Sequence, residues 1–181
     1  PALINGRLRG MNVGLVAAGD FTKESIEENP VVDTLTKAGC TISYQMKLSL
    51  ESLQKIAAGR NDNVPDLLAS ELTEGAAHSS DITSLLQADG SVVSGDFQKP
   101  VQAIVFVLGD NIDVKLGAEI LLPLQAAAQA KNVAVVSVVN GKEDAYRKML
   151  SGEKAQMPVI QEIGNVLAQV DFTNLLAKQF D

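Results

Sequence analysis

Three positions in this 181-residue chain place a polar side chain at the end of an apolar run. They are Asp20 in Ala17-Ala18-Gly19-Asp20, Asp110 in Val107-Leu108-Gly109-Asp110 and Asn140 in Val138-Val139-Asn140-Gly141. Two carboxylates and a carboxamide supply hard oxygen donors. Brought to one edge, they would hold a divalent cation such as Mg2+ or Ca2+ together with water, or orient a small polar ligand. The competing use of each Asp is structural, because Asp readily accepts from the first-turn N–H groups of a helix that follows it.

Other chemistries find less support. The loop Gly19-Asp20-Phe21-Thr22-Lys23-Glu24-Ser25 could turn backbone N–H groups toward an anion at a helix start. It lacks both G-x-G-x-x-G and the G-K-[ST] ending of a phosphate-binding loop, and Asp20 with the following glutamates would repel phosphate. The single histidine, His78, lies in Ala77-His78-Ser79-Ser80 and reads as an exposed loop or helix residue. No G-x-S-x-G elbow presents a serine, so no catalytic residue is assigned. Soft-metal donors, namely Cys40, His78, Met11, Met46, Met149 and Met157, are scattered singly. Cys40 and Met46 are expected on one face of one strand, with Cα atoms about 20 Å apart at the extended rise, too far to share an ion.

The elements that position these residues follow from periodicity. Ala103–Leu108 is a continuous apolar run rich in β-branched residues, bounded by Pro100 and by Gly109-Asp110-Asn111. This is the pattern of a strand buried on both faces, as in a parallel sheet covered by helices. A helix over Ile112–Lys131 and a second buried strand over Asn132–Asn140 complete a βαβ unit. Upstream, Asn12–Ala18 reads as a strand, and a helix starts at Thr22 or Ser25, with Pro30 at a first turn or break and Gly39 at its end. Cys40–Leu48 alternates Ile42, Tyr44, Met46 and Leu48 against polar neighbours and reads as a half-buried strand nearer an edge. Short helices are expected over Leu50–Ala58, Asn63–Glu74, Ser79–Ala88 and Glu143–Leu150. A short extended segment is expected over Ser91–Asp96, a weak strand over Gln156–Ile163 and a closing helix over Val166–Phe180. Leu3–Met11 reads as a solvated lead-in. The fold class is therefore α/β: a three-layer sandwich, Rossmann-like or flavodoxin-like, around a mostly parallel sheet of about five strands, with 12–181 as a single domain after a lead-in over 1–11.

Composition narrows the partners. A net charge of −7 with no basic stripe argues against nucleic acid. One cysteine excludes an intramolecular disulfide. The longest apolar stretches fall far short of the ~20 residues of a membrane span.

The succession RLRGMNVGLVAAGD, VVDTLTKAGCTISYQMKLS and VVSGDFQKPVQAIVFVLGD resembles the soluble part of the copper-transporter MctB-like family of bacterial envelope proteins. The matching residues are Arg7, Leu8 and Gly10 of an R-L-x-G lead-in, Ala38 and Gly39 at a helix end, and Gly95, Asp96, Phe97 and Pro100 of a G-D-[aromatic]-x-x-P segment. The closing QEIGNVLAQVDFTNLLAKQ matches more loosely. The chain has Gly109-Asp110 where the family more often has Gly-Gly. The resemblance implies a non-catalytic domain of a membrane-anchored, extracytoplasmic cell-envelope protein linked to copper homeostasis. It also implies an anchor and a coiled coil upstream of Pro1, through which the chain would reach the membrane and form a homo-oligomer. The family offers no catalytic motif to carry across, and no copper cluster is evident here. The alternative is a small-ligand or divalent-cation-binding domain, possibly an enzyme, using the cleft beside Asp20, Asp110 and Asn140.

Overall fold

The computed structural model describes residues 3–75, 81–140, 159–161 and 163–180. The expected helix over Glu143–Leu150, and His78, lie outside them. Six strands form one sheet in the order β3-β2-β1-β4-β5-β6, with β1 Asn12–Ala18, β2 Thr41–Leu48, β3 Val92–Gly95, β4 Ala103–Leu108, β5 Ala134–Val139 and β6 Val159–Gln161. All neighbours run parallel except β3, which is antiparallel to β2 at the edge. The five parallel strands thus follow the flavodoxin-like 2-1-3-4-5 order, counted without β3.

Helices cover both faces. One carries α3 (Leu50–Ala57), α4 (Val64–Glu74), α5 (Asp81–Ala88) and α6 (Leu122–Ala130). The other carries α1 (Lys23–Glu27), α2 (Pro30–Lys37) and α7 (Val166–Phe180). The alternation along each strand divides the core accordingly. Ile104, Phe106 and Leu108 of β4 face the first layer, and Ala103, Val105 and Val107 face the second. Every residue of β4 and β5 is buried, which is why both read as continuous apolar runs rather than alternating ones.

Local signals account for most boundaries. The Thr22 hydroxyl accepts from Ser25 N–H while the Ser25 hydroxyl accepts from Thr22 N–H, so α1 opens on a reciprocal cap. Asn29 caps α2, and Pro30 occupies its first turn, where no N–H is needed. Asn63 likewise caps α4 ahead of Pro65.

Four expectations need correction. The lead-in is solvated on one side only: Leu3, Asn5, Arg7 and Arg9 are exposed, but Ile4, Leu8 and Met11 are buried, and Gly6 and Leu8 donate backbone N–H groups to Lys37 and Ala38 at the end of α2. The alternation along β2 is broken by a bulge. Val13 pairs with Ile42 and Gly14 with Tyr44, which leaves Ser43 as the extra residue. Ile42 therefore packs on the α2 face, whereas Tyr44, Met46 and Leu48 pack on the α4 face. The helix expected over Ile112–Lys131 contains a π-helical turn, Leu116–Leu121, in which Leu122 N–H reaches back to the Gly117 carbonyl. Pro123 has no N–H to give Glu119 and would crowd that carbonyl in a regular helix, and the wider turn meets this constraint. Finally, the helix expected over Ser79–Ala88 does not bury all its leucines: Ile82 and Leu86 of α5 are buried, whereas Leu85 is exposed.

Candidate functional site

Winding reverses between β1 and β4. From β1 the chain crosses through α1 and α2 to β2 on one side, and from β4 it crosses through α6 to β5 on the other. The crevice outside the carboxyl ends of β1 and β4 is the switch point, where such sheets receive ligands. Asp20, Asp110 and Asn140 all lie on that edge, as the sequence places them, and all three are exposed.

The main chains of the two strand ends are joined there directly. The strand ladder continues past the sheet, with Gly109 N–H donating to the Ala18 carbonyl at 2.9 Å and Asp20 N–H to the Asp110 carbonyl at 2.9 Å. On the other side, Asn140 N–H donates to the Leu108 carbonyl at 2.7 Å. Gly19, at φ +100°, lies so close to the opposite chain that a Cβ would stand 2.7 Å from the Asp110 carbonyl oxygen. Only glycine permits both that conformation and that approach. The side chains then cross the gap: Asn111 Nδ2 donates to Asp20 Oδ2 at 2.6 Å. Asp20 does not cap α1, because Thr22 does. Asp113 accepts from Lys115 N–H at 2.8 Å at the start of the helical segment after β4.

Two further residues close the crevice from the sides. The Phe21 ring lies against Gly109, where an added Cβ would be 2.8 Å from Cε2. Lys47, at the end of β2, donates Nζ to the Phe21 carbonyl at 3.1 Å. Sequence reasoning found the aspartates but missed Asn111, Phe21 and Lys47. The available signal was the run Gly109-Asp110-Asn111, since Asn is enriched in left-handed turns, and Asn111 does sit at φ +57°.

Among the described residues no group of three or more His, Cys, Asp or Glu side chains is gathered as a metal would require. Cys40 and Met46 do not share a face as the alternation suggested. The Ser43 bulge leaves Cys40 against the α2-side core and Met46 in the α4-side core. Burial also pushes the Cys40 thiol up to about 12, so it stays protonated at neutral pH.

A concavity lies at the opposite edge. A cavity of about 500 Å3 opens below the amino ends of β4 and β5, with Glu74, Gln102 and Lys131 among its lining residues. The sequence reading did not anticipate it, because its lining is gathered from the ends of α4 and α7, the turn after α6 and the segment before β4, which are far apart in the chain.

The class these features define is a flavodoxin-like α/β domain whose switch point is bridged by its own groups. No protein-family model matches the chain, and no curated protein matches it. No helix among the described residues is long and apolar enough to cross a membrane.

Proposed function

We propose that this chain is a non-catalytic domain of a membrane-anchored cell-envelope protein, akin to the MctB-like copper-homeostasis family. One observation carries the reading. Two segments of the resemblance that are separate in sequence, the R-L-x-G lead-in and the Ala-Gly helix end, meet as a single contact. Leu8 N–H donates to the Ala38 carbonyl at 2.7 Å, and a Cβ on Gly39 would be 3.2 Å from Arg9 Cα. The third segment is equally structural. Phe97 is buried against Tyr44 with ring centroids 4.7 Å apart, Asp96 accepts from Gln98 N–H, and Gly95 packs on the Ser43 carbonyl. The matching residues thus share architectural work, and a common architecture is what a family resemblance predicts. The bridged crevice supports a scaffold or assembly role over turnover. Copper handling would be a property of the whole envelope protein, with no joint coordination by Cys40 and Met46.

The test is fractionation of cells carrying the full-length gene with an epitope tag. The expected result is a membrane-bound product, released by detergent but not by salt and cleaved by protease added outside the cytoplasmic membrane. A product found wholly in the cytosol would overturn the reading. A second reading, cation binding, rests on the exposed side chains of Asp20 and Asp110 lying at one sheet edge, where the Asp20 N–H donates to the Asp110 carbonyl.

A further inference from the structure

We propose that the cavity at the amino-terminal edge of β4 and β5 binds a small zwitterionic molecule of the α-amino acid type, its carboxylate held by Lys131 and Gln102 and its ammonium by Glu74. This site is on the far side of the sheet from the bridged switch point and does not depend on the envelope assignment.

Size and lining come first. About 500 Å3 suits a metabolite-sized ligand. Apolar atoms in the lining come from the exposed Pro100 and from the edges of Val101 and Val133, which are otherwise buried in the core. Lys131 Nζ and Glu74 Oε1, both in the lining, form an ion pair at 2.8 Å, with both side chains partly exposed. An exposed pair of this kind contributes little, so opening it to admit a ligand that satisfies both charges costs little.

The Gln102 amide is oriented by the fold. Its Oε1 accepts from Asn12 N–H at 2.6 Å, so its Nε2 donors point elsewhere, and they have no partner among the described residues. Gln179 on the far wall is spent in a similar way, its Oε1 accepting from Val135 N–H and its Nε2 donating to the Leu175 carbonyl. The cavity therefore offers a carboxylate the Gln102 amide and the Lys131 ammonium, with the exposed Asn132 carboxamide beside them in the lining.

A bare anion is nevertheless disfavoured. The helices α4, α6 and α7 all end at this edge, with Glu74, Lys131 and Gln179 in or beside their last turns. Three carboxyl-terminal helix ends add negative potential to the Glu74 carboxylate and favour a positive group. Donors for a carboxylate beside a field that favours an ammonium select a ligand carrying both.

The experiment is an amide-resolved NMR titration of the whole chain with L-leucine, alongside isocaproate, which lacks the ammonium, and isoamylamine, which lacks the carboxylate. The expected result is saturable shifts at Gln102, Lys131, Asn132 and Val133 with L-leucine, and binding of either fragment weakened about tenfold or more, equivalent to ~1.4 kcal/mol. Gln102→Glu keeps the acceptor for Asn12 N–H but replaces the donor with a carboxylate oxygen, and Lys131→Met removes the ammonium. Each should abolish the L-leucine response, with an unchanged unfolding midpoint showing that the fold persists. Absence of saturable shifts with L-leucine, equal binding of isocaproate, or retained binding in both folded variants would overturn the proposal.

Discussion

Asn111 donates its side-chain amide to the Asp20 carboxylate at 2.6 Å, joining the ends of β1 and β4 across 91 residues of chain. Asn111 also holds a left-handed backbone, φ +57°. The two roles separate by substitution. Asn111→Gly loses only an exposed hydrogen bond and should cost about 1 kcal/mol or less. Asn111→Ala loses the same bond and must also take a conformation costing roughly 1–2 kcal/mol for a residue with a Cβ. Denaturant unfolding should rank wild type above Gly above Ala. A Gly variant less stable than the Ala variant would contradict this account of the turn.

Gly14 and Tyr44 constrain each other at the start of the sheet. A Cβ on Gly14 would lie 2.2 Å from the Tyr44 ring, whose hydroxyl donates to the Leu72 carbonyl on α4 at 2.9 Å. Gly14→Ala should destabilise by about 3 kcal/mol or more, at the top of the range for overpacking. In a Tyr44→Leu background the same change should cost less, by a coupling of about 1 kcal/mol or more in a double-mutant cycle. Strict additivity would mean that the ring is not the obstacle.

Glu71 of α4 is buried, with Oε1 accepting from both the backbone N–H and the hydroxyl of Thr83 near the start of α5. Its Oε2 has no partner among the described residues. Removing one of the two donors leaves a buried carboxylate worse satisfied, so Thr83→Val should lower stability by about 1–3 kcal/mol despite its matched shape. Thermal unfolding of the two proteins side by side measures this, and an unchanged midpoint would show that the contact is idle.

Asp89 supplies a pH signature. Partial desolvation opposes ionisation, but hydrogen bonds from Ser91 and Ser52 and the nearby Lys55 ammonium outweigh it and hold the carboxyl below its usual range. A depressed folded-state value means the carboxylate stabilises the fold above the unfolded value of about 3.9 and loses that contribution as pH falls through the folded one. Asp89→Asn should therefore be less stable than wild type at neutral pH, by about 0.5 kcal/mol or less for so exposed a group, and the curves should converge in acid. A gap that widens in acid would reverse the sign of the argument.

Much of the fold was legible because its strands are extreme. Ala103–Leu108 and Ala134–Val139 are buried on both faces and permit no other reading, and Asn29-Pro30 and Thr22 are local caps that need no tertiary information. Three features were illegible for physical reasons. The Ser43 bulge is fixed by what β1 and β3 place beside it, Gly14 against Tyr44 and Gly95 against the Ser43 carbonyl, and no strand pattern contains those neighbours. Burial of Ile4, Leu8 and Met11 depends on the end of α2, some thirty residues away from Leu8. At the switch point, the aspartates were visible as Gly-Asp strand ends, but their use was not. The bond from Asn111 to Asp20 exists only because the β1–β4 pairing brings the two within reach, and no local pattern contains that pairing.

The bridge across the switch point is tested most directly by an amide-resolved NMR titration of the chain with Ca2+ and with Mg2+. If the crevice is held by its own groups, the amides of Asp20, Asp110, Asn111 and Asn140 will show no saturable shift at millimolar cation, and the Asp20 amide will stay protected from exchange throughout by its bond to the Asp110 carbonyl. Stoichiometric binding at micromolar cation, centred on those amides and abolished by Asp110→Asn, would contradict the account and establish the crevice as a cation site.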